Sequence, residues 1–249
     1  MTSRFIYILP LLVSTNAQFD RCYERIIGGR EVNITDIPFQ VSLNTISDRH
    51  VCGGVVISPR WVLTAAHCVE SHEVNVRFAS TFSNHSGLLV SVNRSVRHPL
   101  YNEKASDYDI ALLELVEAIP LDDNFFAVEL PLQNESIEDG RCLLVSGWGI
   151  SGFPVDRLNA VHVPVVNFEE CKNVYGSVGR NVTNRMICAG YPEGGMGVCH
   201  GDSGGPLVDG RKLIGVVSWG LPPCAGPGFP GVYTRVAAFR NWITQISDV

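Results

Sequence analysis

No run of apolar residues in this sequence approaches the roughly 20 that a membrane-spanning helix requires. The run near the start, Phe5-Ile6-Tyr7-Ile8-Leu9-Pro10-Leu11-Leu12-Val13, is short and broken by Pro10. Basic charge is also in short supply. The chain has 19 Lys and Arg against 25 Asp and Glu, a formal net charge of −6. That balance offers no electrostatic footprint for nucleic acid or an anionic membrane. Charged residues are only 18% of the 249, which argues against a disordered chain. No low-complexity stretch or internal repeat is evident, and no histidine follows His200.

Apolar residues make up 45%, enough for a sizeable core in one large domain or two small ones. Arg4 precedes the first apolar run, and the small residues Thr15 and Ala17 follow it at the spacing a signal peptidase prefers. This predicts an export signal over residues 1–17 and a secreted, soluble mature protein, monomeric by default. An oxidising compartment suits the 8 cysteines, whose wide spacing is unlike a zinc ribbon. Five Asn-x-Ser/Thr sequons occur, at Asn33, Asn84, Asn93, Asn134 and Asn181. In an exported chain they predict surface positions and glycosylation at some of them.

Strand-like patterns dominate the rest. Phe39–Leu43, Val74–Phe78 and Val161–Val165 alternate, while Gly54–Ile57 and Cys142–Val145 are short apolar runs. Turn residues separate them at short intervals, the rhythm of an all-β barrel or sandwich. Two helices are predicted. Asn167 lies three residues before Glu170 and caps a short helix through Val174. Val236, Phe239, Trp242, Ile243 and Ile246 recur at helical spacing near the C-terminus. The acidic, weakly periodic segment 121–138 reads as a link between two halves.

Gly201-Asp202-Ser203-Gly204-Gly205-Pro206 sets a serine among glycines. Glycines allow a sharp turn and leave amide groups open to a substrate. A Gly-x-Ser-x-Gly match fits two enzyme folds. In the α/β-hydrolases the order is serine, acid, histidine, which the lack of any histidine after Ser203 excludes. The partners therefore lie upstream, in the order histidine, aspartate, serine. His67 in Leu63-Thr64-Ala65-Ala66-His67-Cys68 and Asp109 in Asp107-Tyr108-Asp109-Ile110-Ala111-Leu112-Leu113 are the candidates.

Together these segments resemble the chymotrypsin family of serine proteases, over Ile26 to Val249. Further matches are Pro38–Leu43, Cys52-Gly53-Gly54, Ser146-Gly147-Trp148-Gly149, Val217-Ser218-Trp219-Gly220 and Gly231-Val232-Tyr233-Thr234. The resemblance implies two packed six-stranded antiparallel Greek-key β-barrels with a C-terminal helix. The first barrel would span about 26–125, the second about 126–234 and the helix about 235–247. It implies Ser203 as nucleophile, His67 as general base and acid, and Asp109 as the group orienting the imidazole. The amides of Gly201 and Ser203 would form an oxyanion hole, and the backbone at Ser218 would line the substrate strand.

In this family the residue six before the nucleophile forms the floor of the primary pocket. Here it is Gly197, where an aspartate would select Arg or Lys. The wall positions match Gly220 and Gly231. An open, uncharged slot rewards apolar surface, so cleavage after Phe, Tyr or Leu is expected, as in arthropod chymotrypsins. The insert Leu221-Pro222-Pro223 departs from simpler members. His200 is expected at the pocket mouth. An elastase-like preference for small aliphatics is the alternative, and it would need a bulky wall residue.

Arg25-Ile26-Ile27-Gly28-Gly29 resembles the family's activation junction. Residues 18–25 would then be an activation propeptide, removed by a separate trypsin-like protease. The freed Ile26 ammonium would pair with Asp202. In the precursor the resemblance implies that Asp202 instead contacts His50 and Ser42. Three disulfides are implied: Cys52–Cys68, Cys171–Cys188 and Cys199–Cys224. The usual partners of Cys22 and Cys142 are missing. Either these two pair and tether the propeptide, or Cys22 is lost and Cys142 is a buried free thiol. No cofactor or metal is implied, because Arg77–Phe82 lacks the acidic residues of a calcium loop. The expected partners are polypeptide substrates, an activating protease and protein protease inhibitors. A catalytically dead homologue acting as a binding module usually loses a triad residue, and none is lost here.

Overall fold

The computed structural model describes Cys22 and residues 29–69, 73–149 and 156–249. The signal, the rest of the propeptide, Arg25 and Ile26 lie outside the described residues. The described chain contains thirteen strands. Six of them, β2 (Gln40–Thr45), β3 (His50–Ser58), β4 (Trp61–Thr64), β5 (Val74–Phe78), β6 (Leu88–Arg97) and β7 (Ala111–Leu115), close into a barrel in the order β2-β3-β4-β7-β6-β5. Six more, β8 (Cys142–Gly147), β9 (Asn159–Val166), β10 (Met186–Ala189), β11 (Pro206–Asp209), β12 (Lys212–Trp219) and β13 (Gly231–Arg235), form a second closed barrel. Closure comes from pairing of β8 with β9. The short β1 (Arg30–Glu31) adds to the outer side of β9, so the start of the described chain leans on the second barrel.

The alternation read from sequence follows from the pleat, because successive side chains point to opposite faces. Val41 and Leu43 on β2, Val55 on β3, Leu63 on β4 and Val76 on β5 are fully buried. Each such side chain contributes about 1.5–3 kcal/mol when removed from water. Leu143, Val163, Leu207 and Tyr233 fill the second barrel. All ladder pairings between named strands are antiparallel.

The predicted first helix is α1 (Phe168–Gly176). Asn167 caps it by accepting from the amides of Glu169 and Glu170. The C-terminal helix α2 (Arg240–Ser247) starts later than the apolar stripe suggested. Val236–Ala238 form a 3₁₀ turn instead, and Phe239 breaks from helical geometry at φ −115° before α2 begins. The stripe still packs, with Val236, Phe239 and Ile243 buried in the larger core.

Candidate active site

Strand register explains how residues 42 positions apart meet. Thr64 at the end of β4 pairs with Ala111 at the start of β7. The chain three residues past Thr64 and two before Ala111 therefore leaves the barrel at one rim. There His67, on the 3₁₀ turn Ala66–Val69, faces Asp109. His67 Nδ1 lies 2.7 Å from Asp109 Oδ2, and the His67 amide donates to Oδ1 at 3.0 Å. Asp109 is only 2% exposed, yet its oxygens are satisfied. From the second barrel, Ser218 Oγ donates to Oδ2 at 2.6 Å and Thr234 Oγ1 to the Asp109 carbonyl at 2.7 Å. A carboxylate this deep is tolerated only because it is hydrogen-bonded and faces a group able to carry positive charge.

Ser203 comes from the loop before β11, and the two barrels meet behind it. The Gly53 amide of β3 donates to the Ser203 carbonyl at 2.7 Å. A side chain on Gly53 would approach Gly205 Cα to 2.9 Å, so contact here is glycine on glycine. Gly204 has φ +79°, and a Cβ there would overlap Thr64 Oγ1 and the Gly53 carbonyl. These are the physical reasons for the glycine-rich motif. Around Ser203 the amides of Asp202, Gly204 and Gly205 are spent on carbonyls of Cys199, Val217 and Asp202. Those of Gly201 and Ser203 find no acceptor among the described residues. Two unspent donors beside a serine can bind an oxyanion.

Asp202 does not contact His50. Its carboxylate accepts from the Gly149 amide at 2.7 Å and the Cys199 amide at 2.8 Å. His50 bonds instead to Ser42 Oγ through Nδ1 at 2.7 Å and to the Gly201 carbonyl through Nε2 at 2.9 Å. The contact expected for the precursor is thus replaced by one that fixes the Gly201 turn. The cause lies in Gly147 and Gly149, where a Cβ would strike the Asp202 carboxylate. Their bare backbone opens a place for it, away from His50. Burial pushes the Asp202 carboxyl up to about 6, although the Cys199 and Gly149 amides pull it down. No cation among the described residues forms an ion pair with it. A cavity of about 190 Å³, lined by Gly29, Gly147, Gly149, Asn159 and Asp202 among others, opens beside it.

Next to Ser203 lies a cavity of about 240 Å³. Gly197, Ser218, Gly220 and Gly231, the residues expected from sequence, all line it, and His200 stands exposed at its edge. A Cβ on Gly220 would meet nothing, whereas one on Gly231 would lie 3.1 Å from the Tyr233 hydroxyl. Sequence reasoning missed Tyr191, Met196 and Phe229, which add apolar lining. They stand outside recognisable motifs, so only the folded loops bring them in. No carboxylate is among the described residues that line the cavity.

All four disulfides among the described residues are formed: Cys52–Cys68, Cys171–Cys188, Cys199–Cys224 and Cys22–Cys142. The alternative of a free Cys142 is therefore overturned. Cys52, His67 and Cys68 cluster closely enough to suggest a metal site. Both sulfurs are bonded to each other, so the cluster offers no thiolate. The five sequon asparagines are all exposed.

The family model described as Trypsin matches residues 26–243. The chain belongs to the trypsin family. It is 47% identical over 230 residues to "Trypsin 5G1" of Aedes aegypti, covering 90% of this chain and 86% of that protein. It is 42% identical over 227 residues to the "Vitellin-degrading protease" of Bombyx mori, covering 89% and 85%. A "Trypsin" of Phaedon cochleariae is 40% identical over 233 residues, covering 90% and 89%. This trypsin-family chain is accordingly a serine endopeptidase, a hydrolase of polypeptides. No helix among its described residues is long and apolar enough to cross a membrane.

Proposed function

We propose that the protein is a secreted endopeptidase that cleaves after large apolar residues by an acyl-enzyme mechanism, using Ser203, His67 and Asp109. The supporting observation is the Asp109–His67 pair beside unspent amides at Gly201 and Ser203, next to a cavity without charge. Ser203 Oγ attacks the scissile carbonyl while His67 Nε2 takes its proton. Negative charge develops on the carbonyl oxygen and is met by the two amides. As the C–N bond breaks, His67 returns the proton to the leaving amine. Water then repeats the sequence on the acyl ester and restores Ser203. Asp109 remains ionised, holds Nδ1 as the protonated nitrogen and stabilises the imidazolium. In a serine protease of unrelated fold, loss of one oxyanion donor costs roughly 3 kcal/mol.

Gly197, Gly220 and Gly231 leave the cavity deep, and Tyr191, Met196, Trp219 and Phe229 give it apolar walls. An Arg or Lys head would be desolvated there with no counter-charge. Some relatives carry the name trypsin, which favours a second reading, cleavage after basic residues. A panel of chromogenic peptides varying only the residue before the cut separates these. Preference for Phe, Tyr or Leu supports the proposal. Preference for Arg overturns it in favour of the second reading, and preference for Ala points to elastase-like specificity.

The same reading makes the chain a zymogen. A separate trypsin-like protease cuts after Arg25, and the Ile26 ammonium enters the cavity beside Asp202. An ammonium there pairs a carboxylate that otherwise sits buried with only backbone donors. The secreted enzyme acts as a monomer, is glycosylated at some of its five exposed sequons, and is open to protein protease inhibitors. Labelling by an organophosphorus serine reagent should appear only after the cut at Arg25; no label would favour a non-catalytic binding module.

A further inference from the structure

Cys22, in the segment read as the propeptide, is held by the fold. It is 7% exposed and bonded to Cys142, 120 residues away. Cys142 opens β8, where it pairs with Pro164 of β9. The Pro164 carbonyl in turn accepts from the Gly190 amide, and the next residue is Tyr191. Tyr191 lines the primary cavity, and its hydroxyl donates to the Cys22 carbonyl at 2.5 Å. Its own carbonyl accepts from the Gly194 amide, at the turn leading to Gly197. A propeptide residue and a cavity-wall residue are thus directly bonded.

We propose that Cys22 stays in the active enzyme as a positioning residue, and that its carbonyl holds Tyr191 where the wall of the primary cavity needs it. The proposal rests on the cut after Arg25. Hydrolysis of the Arg25–Ile26 bond consumes one water and leaves a carboxylate on Arg25 and an ammonium on Ile26. Cys22 lies on the far side of that cut, and only the disulfide keeps it attached. The mature enzyme is then two chains, a short one ending at Arg25 and a long one beginning at Ile26. Cys22 touches no reacting atom. Its effect reaches the substrate through Tyr191, in how well the cavity grips the side chain before the cut. An interaction of that kind moves KM and leaves kcat nearly unchanged.

The test begins with the full precursor treated with trypsin. N-terminal sequencing reads the cut, and intact mass is compared with and without dithiothreitol. The reductant passes two electrons and two protons to the disulfide, giving two thiols, and is itself oxidised to a cyclic disulfide. Retention of the short chain without reductant, and its release with it, is expected. An Ile26 terminus with the short chain already lost would overturn the tether alone. No Ile26 terminus would overturn the activation reading and the tether with it. For the cavity, Tyr191→Phe and the double variant Cys22→Ser/Cys142→Ser are cleaved and counted by active-site titration. Each should raise KM about threefold for substrates with Phe before the cut, with kcat within twofold of the parent. Combining all three changes should add nothing to the effect on KM, because each variant removes the same Tyr191–Cys22 hydrogen bond. Tyr191→Phe keeps the ring and all disulfides, so it stands if the double variant folds poorly. Unchanged KM in Tyr191→Phe would overturn the role of Cys22 in the cavity.

Discussion

Asp109 carries the tightest constraints of any side chain in the site. Four hydrogen bonds converge on it, from His67 twice, Ser218 and Thr234. Asp109→Asn replaces an acceptor of the His67 N–H by a group that favours the wrong tautomer. A fall in kcat of about 10⁴ with little change in KM is expected from steady-state kinetics. Gly197 offers a converse test. A Cβ there would sit 3.3 Å from that of Ala225, and at φ +157° it would also strain the backbone, so the variant's folding is checked first by its melting temperature. Gly197→Asp should place a carboxylate in the cavity and raise kcat/KM for Arg substrates at least tenfold. An unchanged preference on the peptide panel would show that the cavity floor lies elsewhere.

The elements hold these residues at fixed spacing. Pairing of β4 with β7 sets His67 against Asp109, and pairing of β12 with β13 brings Ser218 to its carboxylate and Thr234 to its backbone carbonyl. The site is therefore an interface between barrels. Arg185 and Asp107 strap it nearby, with Arg185 Nη2 at 2.5 Å from Asp107 Oδ2. Burial alone would raise the Asp107 carboxyl, but Arg185 holds it below the usual range. The helix α1 carries Tyr175, which meets Trp219 and Phe229 of the cavity wall edge-on, but its cap Asn167 lies at the opposite end of the helix and also donates to Asp139. Asn167→Ala should cost about 1 kcal/mol in urea unfolding while leaving kcat/KM nearly unchanged. A change in activity would mean that loss of the cap reaches the cavity through Tyr175.

For the whole molecule the decisive electrostatic feature is Asp202. Its folded pKa, about 6, lies above the ordinary carboxylate value, so ionisation opposes the folded state. The precursor is unaffected below the ordinary carboxylate range. It loses stability as pH rises from there through about 6, then levels off. The proposed pairing with the Ile26 ammonium would reverse this. The melting temperature of the cleaved form should exceed that of the precursor, by a margin that widens between pH 4 and 6. It should narrow again above pH 8, where a free α-amine loses its proton. A constant margin across that range would remove Asp202 as the ammonium's partner.

The residue types and their order pointed to the chemistry. Glycines around Ser203 and the lack of any later histidine excluded one fold, and the segments around His67, Asp109 and Ser203 together resembled one family. Alternation likewise showed the strands, since burying one face of a pleat dictates every second residue. Sequence could not determine where long-range partners fall, because that depends on register and on loops with no periodic signal. Cys22 and Cys142, 120 residues apart in sequence, meet only in the fold. Asp202 turned toward Gly147 and Gly149, away from His50, because missing side chains at those positions, more than 50 residues distant, made room for it. Tyr191, Met196 and Phe229 became cavity walls because irregular loops folded over Gly197. Ser203 was evident from its neighbours; what surrounds the substrate was decided by tertiary packing, where steric space and unspent hydrogen bonds first exist.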